Sequence, residues 1–144
     1  MAARNDPLAA FNFLVEIQNI AEANFSEVSG LAVEVAAIEY REGGDKLNTV
    51  RKLPGLYKTS DVTLKRGITA DARLWKWFQS VLEGKVQRSP VNITLLDAQR
   101  QPVVRWVLRN AWPSKYEVGD LKAKGNDVAI ETLVLTHEGL ERVD

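Results

Sequence analysis

One stretch, from Ser60 to Gly84, restricts the possible folds of this chain more than any other, because it encodes a strand, a turn and an amphipathic helix in succession. Val62 and Leu64 alternate with polar residues, which is the period of a half-buried strand. Gly67 interrupts that strand, since glycine accepts turn geometry that other residues avoid. The apolar spacing that follows predicts one helix over about residues 71–83. Nearly all other patterned segments have the strand period, so we expect this helix to close an open side of a β structure.

The predicted helix has one apolar face and a signal at each end. Asp71 is placed to cap its first turn, and Gly84 is placed to end it in a left-handed conformation. Trp77 lies at the margin of the apolar face, where it is equally suited to cover the sheet edge or to face a partner. The side chains expected on the core-facing stripe are Leu74, Trp75, Phe78, Val81 and Leu82.

The composition favours one ordinary globular domain over residues 1–144, with a flexible N-terminal arm at 1–10 and an extended loop at 41–56. Lys and Arg total 19, and so do Asp and Glu. Zero net charge argues against binding to nucleic acid, sequence-specific binding included, and against an anionic membrane. Cysteine is absent, which excludes disulfides and thiolate chemistry. No apolar run is long enough to cross a bilayer, so we expect cytoplasmic synthesis and no membrane insertion by the monomer.

Alternating apolar residues predict strands through most of the remaining chain. We expect a break at Gly30, an inward set of Leu31, Val33 and Val35, and a β-bulge near Ala36-Ala37, where the apolar parity changes. The last strand, over residues 128–137, is apolar on both faces and is expected to be central or covered. The fold class that follows is mainly β, with two packed antiparallel sheets, as a sandwich or a partly open barrel, and one α-helix.

Three expectations about connections follow from the same patterns. The segment from Arg41 to Leu56 has no clear period and is interpreted as a long loop, of the kind that is often functional. Its flanks, Ile38–Tyr40 and Asp61–Leu64, are expected to pair as a hairpin. The segment Asn110–Pro113 is expected to end a strand, because proline cannot donate to a ladder, and it would leave Trp112 as an exposed anchor.

Motifs for catalysis and for metal binding are not found in the sequence. His137 is the single histidine and lies near the end of an apolar strand, which favours a hydrogen-bonded structural role. One histidine without cysteine cannot form a His/Cys metal site. No phosphate-binding loop, dinucleotide fingerprint or nucleophile elbow is present. We therefore predict a protein that is not an enzyme and has no catalytic, cofactor-binding or metal-binding residues.

An ordered set of short segments resembles the tail tube proteins of contractile-tailed phages and the inner tube proteins of phage-tail-like contractile injection systems. The resemblance extends over nearly the whole chain. The segments that carry it are FNFLVEI from Phe11, FSEVSGL from Phe25, IEYREGG from Ile38, KLPG from Lys52, VTLKRG from Val62, LWKWF from Leu74, ITLLD from Ile93, PVVRWVLRNAWPSKY from Pro102 and VAIETLVLTHEGL from Val128.

The resemblance implies a structural subunit with two packed sheets and one helix. Family members form hexameric rings that stack into a tube with a central channel, inside a contractile sheath. Implied partners are further copies of the chain, the sheath protein, baseplate and tube-terminating proteins, and cargo or DNA in the lumen. A tube assembled in the cytoplasm would belong to a particle that is released or attached to a membrane. The resemblance fits both a phage tail and an injection system, and it fits both the bulk tube subunit and an initiator subunit.

The resemblance also implies an interface. The segment from Arg41 to Leu56 looks like the family's extended hairpin, which reaches neighbouring subunits. We predict ring–ring or subunit–subunit contacts at Tyr40, Arg41, Glu42, Gly43, Gly44, Arg51, Lys52, Leu53, Pro54 and Gly55. The alternatives are a type VI secretion-like tube protein, a small-ligand-binding β-barrel, an enzyme of unknown type and, for the loop, a solvated segment without a partner.

Overall fold

The computed structural model describes residues 7–23, 25–44 and 50–143. Strands predominate in this part of the chain, and one helix is present. The elements in chain order are β1 (Phe13–Ile17), β2 (Ala21–Ala23), β3 (Glu27–Ser29), β4 (Val33–Tyr40), β5 (Arg51–Thr59), β6 (Val62–Gly67), α1 (Arg73–Leu82), β7 (Ser89–Leu96), β8 (Pro102–Val118), β9 (Ile130–Thr136) and β10 (Gly139–Val143).

The main sheet is antiparallel, with the strand order β2-β1-β7-β8-β9-β6-β3 and with β10 also paired to β8. The first half of β8 pairs with β7 and β10, and its second half pairs with β9. Between the two halves, Asn110 has a φ of 52°, a left-handed value at which the strand can turn. The sheet is therefore divided into two antiparallel parts that share β8, which confirms the predicted fold class.

One apolar core lies between the two parts of the sheet, because alternate residues of the strands point into it. The helix adds Leu74 and Trp77 to this core. The fully or nearly fully buried strand residues are Val15, Ile17, Val62, Leu64, Val91, Ile93, Leu108, Leu133 and Leu135. The predicted central strand is confirmed, since β9 lies between β8 and β6.

The helix differs from its prediction in its start and in its buried face. It begins at Arg73, although Asp71 Oδ1 still accepts a hydrogen bond from Arg73 N at 3.0 Å. Trp77 is 2% exposed and donates from Nε1 to the Gln87 carbonyl at 2.7 Å, whereas Trp75 is 41% exposed. The prediction of Trp75 and Leu82 as core-facing was wrong, because the face toward the sheet centres on Leu74 and Trp77, and Leu82 is exposed. The predicted stop at Gly84 is confirmed by its φ of +77°.

The predicted hairpin between Ile38–Tyr40 and Asp61–Leu64 is wrong. β4 pairs with β5, and β6 pairs with β3 and β9. The expected inward set is confirmed for Leu31, which is half-buried against the core, and wrong for Val33 and Val35, since every residue of β4 is exposed. The bulge is confirmed as a register shift between Val35 and Ala37, and Gly30 has the positive φ expected of a break, +91°.

The expected strand end at Asn110–Pro113 is wrong, because β8 continues to Val118. Pro113 is buried opposite Leu135, and the register shifts between Pro113 and Lys115. A bulge accommodates proline in a ladder, since the missing N–H then breaks no regular pair. Trp112 is half-buried in β8 and is not an exposed anchor.

Candidate assembly interface

A two-stranded ribbon, formed by β4 and β5 and called here the arm, stands apart from the main sheet. Within the described residues its two strands pair only with each other, from Val33 opposite Thr59 to Tyr40 opposite Arg51. Eight residues of β4 and nine of β5 are involved. An isolated two-stranded hairpin is at best marginally stable in water. The arm therefore needs a covering surface.

The arm exposes enough apolar surface to indicate an interface. Leu56 is 89% exposed. The large apolar residues exposed on the arm and beside its tip are Val33, Val35, Ile38, Tyr40, Val50, Leu53, Leu56 and Tyr57. Contiguous exposed apolar surface on a soluble protein is typical of a site that another molecule covers.

The sequence-predicted interface residues lie together at the end of the arm away from the main sheet. In the ladder, Tyr40 faces Arg51, Lys52 faces Glu39, Leu53 faces Ile38, and Pro54 faces Ala37. Arg41 and Glu42 continue from β4, and Tyr40 donates from its hydroxyl to Glu42 Oε1 at 3.3 Å. Gly43 and Gly44 form a turn, and residues 45–49 of the predicted loop lie outside the described residues.

The presence of glycine at Gly55 is explained by packing within the arm. A Cβ at this position would lie 2.8 Å from Ile38 Cδ1, so a larger residue would displace the isoleucine. The sequence interpretation missed the half of the arm nearer the main sheet, where Val33, Val35 and Tyr57 are exposed. The sequence does carry a signal, because Val33 and Val35 alternate with glutamate, but the same pattern is typical of a strand with an inward face.

His137 fixes the root of the arm to the main sheet. Its Nε2 lies 3.0 Å from the carbonyl oxygen of Ser60, an acceptor, so Nε2 carries the proton. Nδ1 then accepts from Gly139 N at 3.2 Å. Thr59, the last residue of β5, donates to the His137 carbonyl at 3.4 Å. The buried imidazole thus joins the end of the arm to the junction of β9 and β10, which agrees with the hydrogen-bonded role predicted for it.

A buried ionic cluster joins the helix to the main sheet. Arg66 of β6 donates from Nε to Glu131 Oε1 of β9, and Tyr116 of β8 donates to Glu131 Oε2 at 2.6 Å. Arg66 also donates to the Asp71 carbonyl at 3.2 Å, just before the helix. A hydrogen bond from Arg73 holds the pKa of the Asp71 carboxyl well below its usual range. Burial, then the hydrogen bond to Glu131, raises the pKa of Tyr116 to about 12.

The chemistry of this ionic cluster indicates a structural role. Its carboxylate and guanidinium groups are paired, and the Tyr116 ring packs edge-on to Trp75, with ring centroids 5.2 Å apart. The described residues contain no group of acidic residues and histidine suited to hold a metal ion. They also contain no helix with the length and apolarity needed to cross a membrane.

Chains of similar fold have been solved in contractile injection assemblies and as an Hcp protein. A chain in the baseplate of the anti-feeding prophage, 6-fold symmetrised, is 29% identical with a TM-score of 0.84, and 97% of each chain is covered. A chain in the sheath/tube terminator of the PVC extracellular contractile injection system, in the extended state, is 25% identical with a TM-score of 0.87, over 99% of this chain and 100% of that chain. Hcp1 from Flavobacterium johnsoniae shares the fold at 10% identity and a TM-score of 0.56, over 92% and 94%.

The fold and the uncovered arm thus define a class, the tail tube proteins of contractile injection systems. Residues 9–141 match the model of the T4-like virus tail tube protein gp19. The chain belongs to that tail tube family. No curated protein sequence matches it.

Proposed function

We propose that this protein is the structural subunit of an inner tube, in which hexameric rings stack around a central channel that admits cargo or DNA. The observation that carries the proposal is the arm, an apolar ribbon that the described part of the subunit leaves uncovered. A neighbouring subunit would supply the missing cover, as in obligate interfaces that resemble a domain core cut in half. The similar chain in a 6-fold symmetrised baseplate supports six subunits in a ring.

The contacts between subunits are proposed at the distal half of the arm. This half contains the two segments 40–44 and 51–55, which β4 and β5 bring side by side. Their positions combine an exposed aromatic ring at Tyr40, exposed apolar surface at Leu53 and charge at Lys52. Such a mixture of an apolar centre and a polar rim is typical of specific protein interfaces.

The partners proposed for the tube are a sheath, a baseplate and a tube-terminating protein. The support is that the similar chains were solved in assemblies described as a baseplate and as a sheath/tube terminator. We propose a role in a particle of the extracellular injection type rather than in a type VI secretion system, since the likeness to Hcp1 is much weaker. The whole chain would act as one non-enzymatic domain, assembled in the cytoplasm into a particle that is released or attached to a membrane.

The test is negative-stain electron microscopy of the purified protein, with mass measured in solution. We expect six-fold rings or hollow tubes. The variant Leu56→Asp places a charge on the arm and is expected to give monomers. Its matched control is Leu82→Asp, which alters an exposed leucine on α1, away from the arm, and is expected to keep the rings. Rings that survive Leu56→Asp would contradict the role of the arm. A monomer under all conditions, with an apolar small molecule bound, would favour the ligand-binding barrel.

A further inference from the structure

A mostly apolar recess lies on the main sheet beside the turn that joins β7 and β8. It measures about 670 Å³ and is called here the outer recess. Its polar lining residues are Thr94, Arg100 and Arg105. Its apolar lining residues are Leu14, Leu96, Pro102, Val103, Val104 and Val143. A surface hollow with these walls can hold an apolar side chain of a partner.

A row of residues in the outer recess crosses four neighbouring strands. Leu14 of β1 lies opposite Thr94 of β7. Thr94 lies opposite Arg105 of β8, which in turn lies opposite Val143 of β10. With strands about 4.8 Å apart, this row is about 14 Å long. Ile93, the neighbour of Thr94, packs in the core, so the row belongs to the opposite, outward face of the sheet.

The outer recess has two arginines that lack a partner of opposite charge. Within the described residues, neither Arg100 nor Arg105 forms an ion pair. Asp97 lies in the same turn, but its Oδ1 accepts hydrogen bonds from Gln99 N and Gln101 N, each at 2.9 Å. These bonds hold the Asp97 carboxylate within the turn. Because arginine stays protonated in proteins, the outer recess carries two positive charges.

The outward face of the other half of the sheet differs in this respect. There Lys65 pairs with Glu27 at 3.9 Å, and Lys115 pairs with Glu117 at 3.2 Å. These lysines have carboxylate partners within the subunit, whereas the arginines of the outer recess can bind a carboxylate of another molecule. Guanidinium groups bind carboxylates through two parallel hydrogen bonds. Arginine beside an apolar pocket is typical of the residues that contribute most to binding.

We propose that the outer recess binds a peptide segment in which an apolar side chain is flanked by carboxylates, presented by a protein other than this chain. The apolar side chain would enter the recess, and the carboxylates would bind Arg100 and Arg105. An apolar segment without carboxylates would leave both guanidinium groups unpaired at the interface. Nucleic acid would use the arginines and leave the apolar walls uncovered.

The position of this segment follows from the charges around the outer recess. Glu16 and Glu141 lie two positions further along β1 and β10, away from the turn. Their charge would repel an acidic segment, so we expect it at the turn side of the recess, near Arg100. The inference does not depend on the proposed function, because one subunit forms the whole recess.

The test is fluorescence anisotropy of a dye-labelled probe peptide that has one leucine between two pairs of aspartates. We expect saturable binding that Arg105→Glu weakens at least about tenfold, because a lost charged hydrogen bond is of that size. Arg100→Glu is a second variant with the same expectation, and so is a probe with serine in place of leucine. The matched control is Lys115→Glu, which alters an exposed cation on the other half of the sheet and is expected to leave the affinity unchanged.

Each other outcome would overturn the proposal. No binding at about 1 mM protein would do so, as would equal binding by both arginine variants or by the serine probe. Displacement of the probe by a single-stranded oligonucleotide would indicate a general polyanion site. Assembled tubes are expected to bind the probe equally well, and loss of binding on assembly would mean that a second copy of the chain covers the recess. Failure of the proposed function would be separate, because the protein would bind the probe and form neither rings nor tubes.

Discussion

The bond between Tyr116 and Glu131 should make a measurable contribution to the stability of the subunit. Glu131 is only 5% exposed, and the Tyr116 hydroxyl donates to its Oε2 at 2.6 Å. Tyr116→Phe removes that donor and leaves the ring contacts with Trp75 and Phe78 in place. A buried carboxylate that loses one of its donors keeps its desolvation cost without the compensating bond.

The expected magnitude follows from this single lost bond. Hydrogen bonds to charged groups contribute about 1.5–3 kcal/mol, so we expect Tyr116→Phe to lower the free energy of unfolding by about 2 kcal/mol. Arg66→Met should cost more, about 3–5 kcal/mol, because it leaves the buried Glu131 carboxylate without its cation. Arg66→Met is thus predicted to lose more free energy of unfolding than Tyr116→Phe, and the size of each loss is predicted as well.

Urea unfolding of the unassembled subunit, followed by tryptophan fluorescence, measures both losses. With a slope of about 2 kcal/mol per molar urea, Tyr116→Phe should lower the midpoint by about 1 M. Combining Tyr116→Phe with Glu131→Gln should give a non-additive loss, because the second change removes the charge that the first leaves without its donor. A midpoint shift below about 0.25 M for Tyr116→Phe, or full additivity, would refute the reasoning.

Three further predictions concern pH, the arm root and a backbone turn. Because the pKa of Tyr116 is raised to about 12, its stabilising contribution should be complete below about pH 10 and lost as the pH rises through 12. In an absorbance titration of tyrosine ionisation, Tyr116→Phe should remove the phase near pH 12. Persistence of that phase in the variant would contradict its assignment to Tyr116. His137→Phe keeps the bulk but leaves the Ser60 carbonyl without its donor, so amide exchange of Ser60 should quicken, while unchanged protection would exclude a role at the root. Gly30→Ala forces alanine to a φ of +91° and into the Asp61 carbonyl, so urea unfolding should show a loss of at least about 1–2 kcal/mol, and a neutral result would be inconsistent with this geometry.

Regular alternation made much of the main sheet predictable. In β6 and β7 the apolar residues Val62, Leu64, Val91 and Ile93 alternate with polar residues and are buried as the sequence predicts. The pattern stops at the buried Arg66 in β6 and at the register shift between Leu95 and Leu96 in β7. The helix was predictable in extent, but its buried face was not, because Trp75 and Trp77 lie on either side of Leu74 on the helix surface. Only the position of the sheet decides which indole is covered, and that position depends on tertiary packing.

The arm was less predictable because its sequence conflicts with ordinary strand preferences. Proline and glycine at Pro54 and Gly55 count against a strand, yet here they fit, since the ribbon has open edges and a register shift near Ala37. The predicted interface residues came from a family resemblance and remain a prediction. The exposed apolar residues Leu121 and Val128, on the connection between β8 and β9, left no pattern, because each is isolated in the sequence.

The length of β8 has a mechanical consequence. Its 17 residues pair with β7, β9 and β10, and β10 follows β9 along the same side. Hydrogen bonds in an antiparallel ladder run perpendicular to the strands. A pull along β8 therefore loads many of these bonds together in shear, whereas a pull across it separates them one after another. The subunit should resist force along this strand far better than force across it, so its strength under load has a direction.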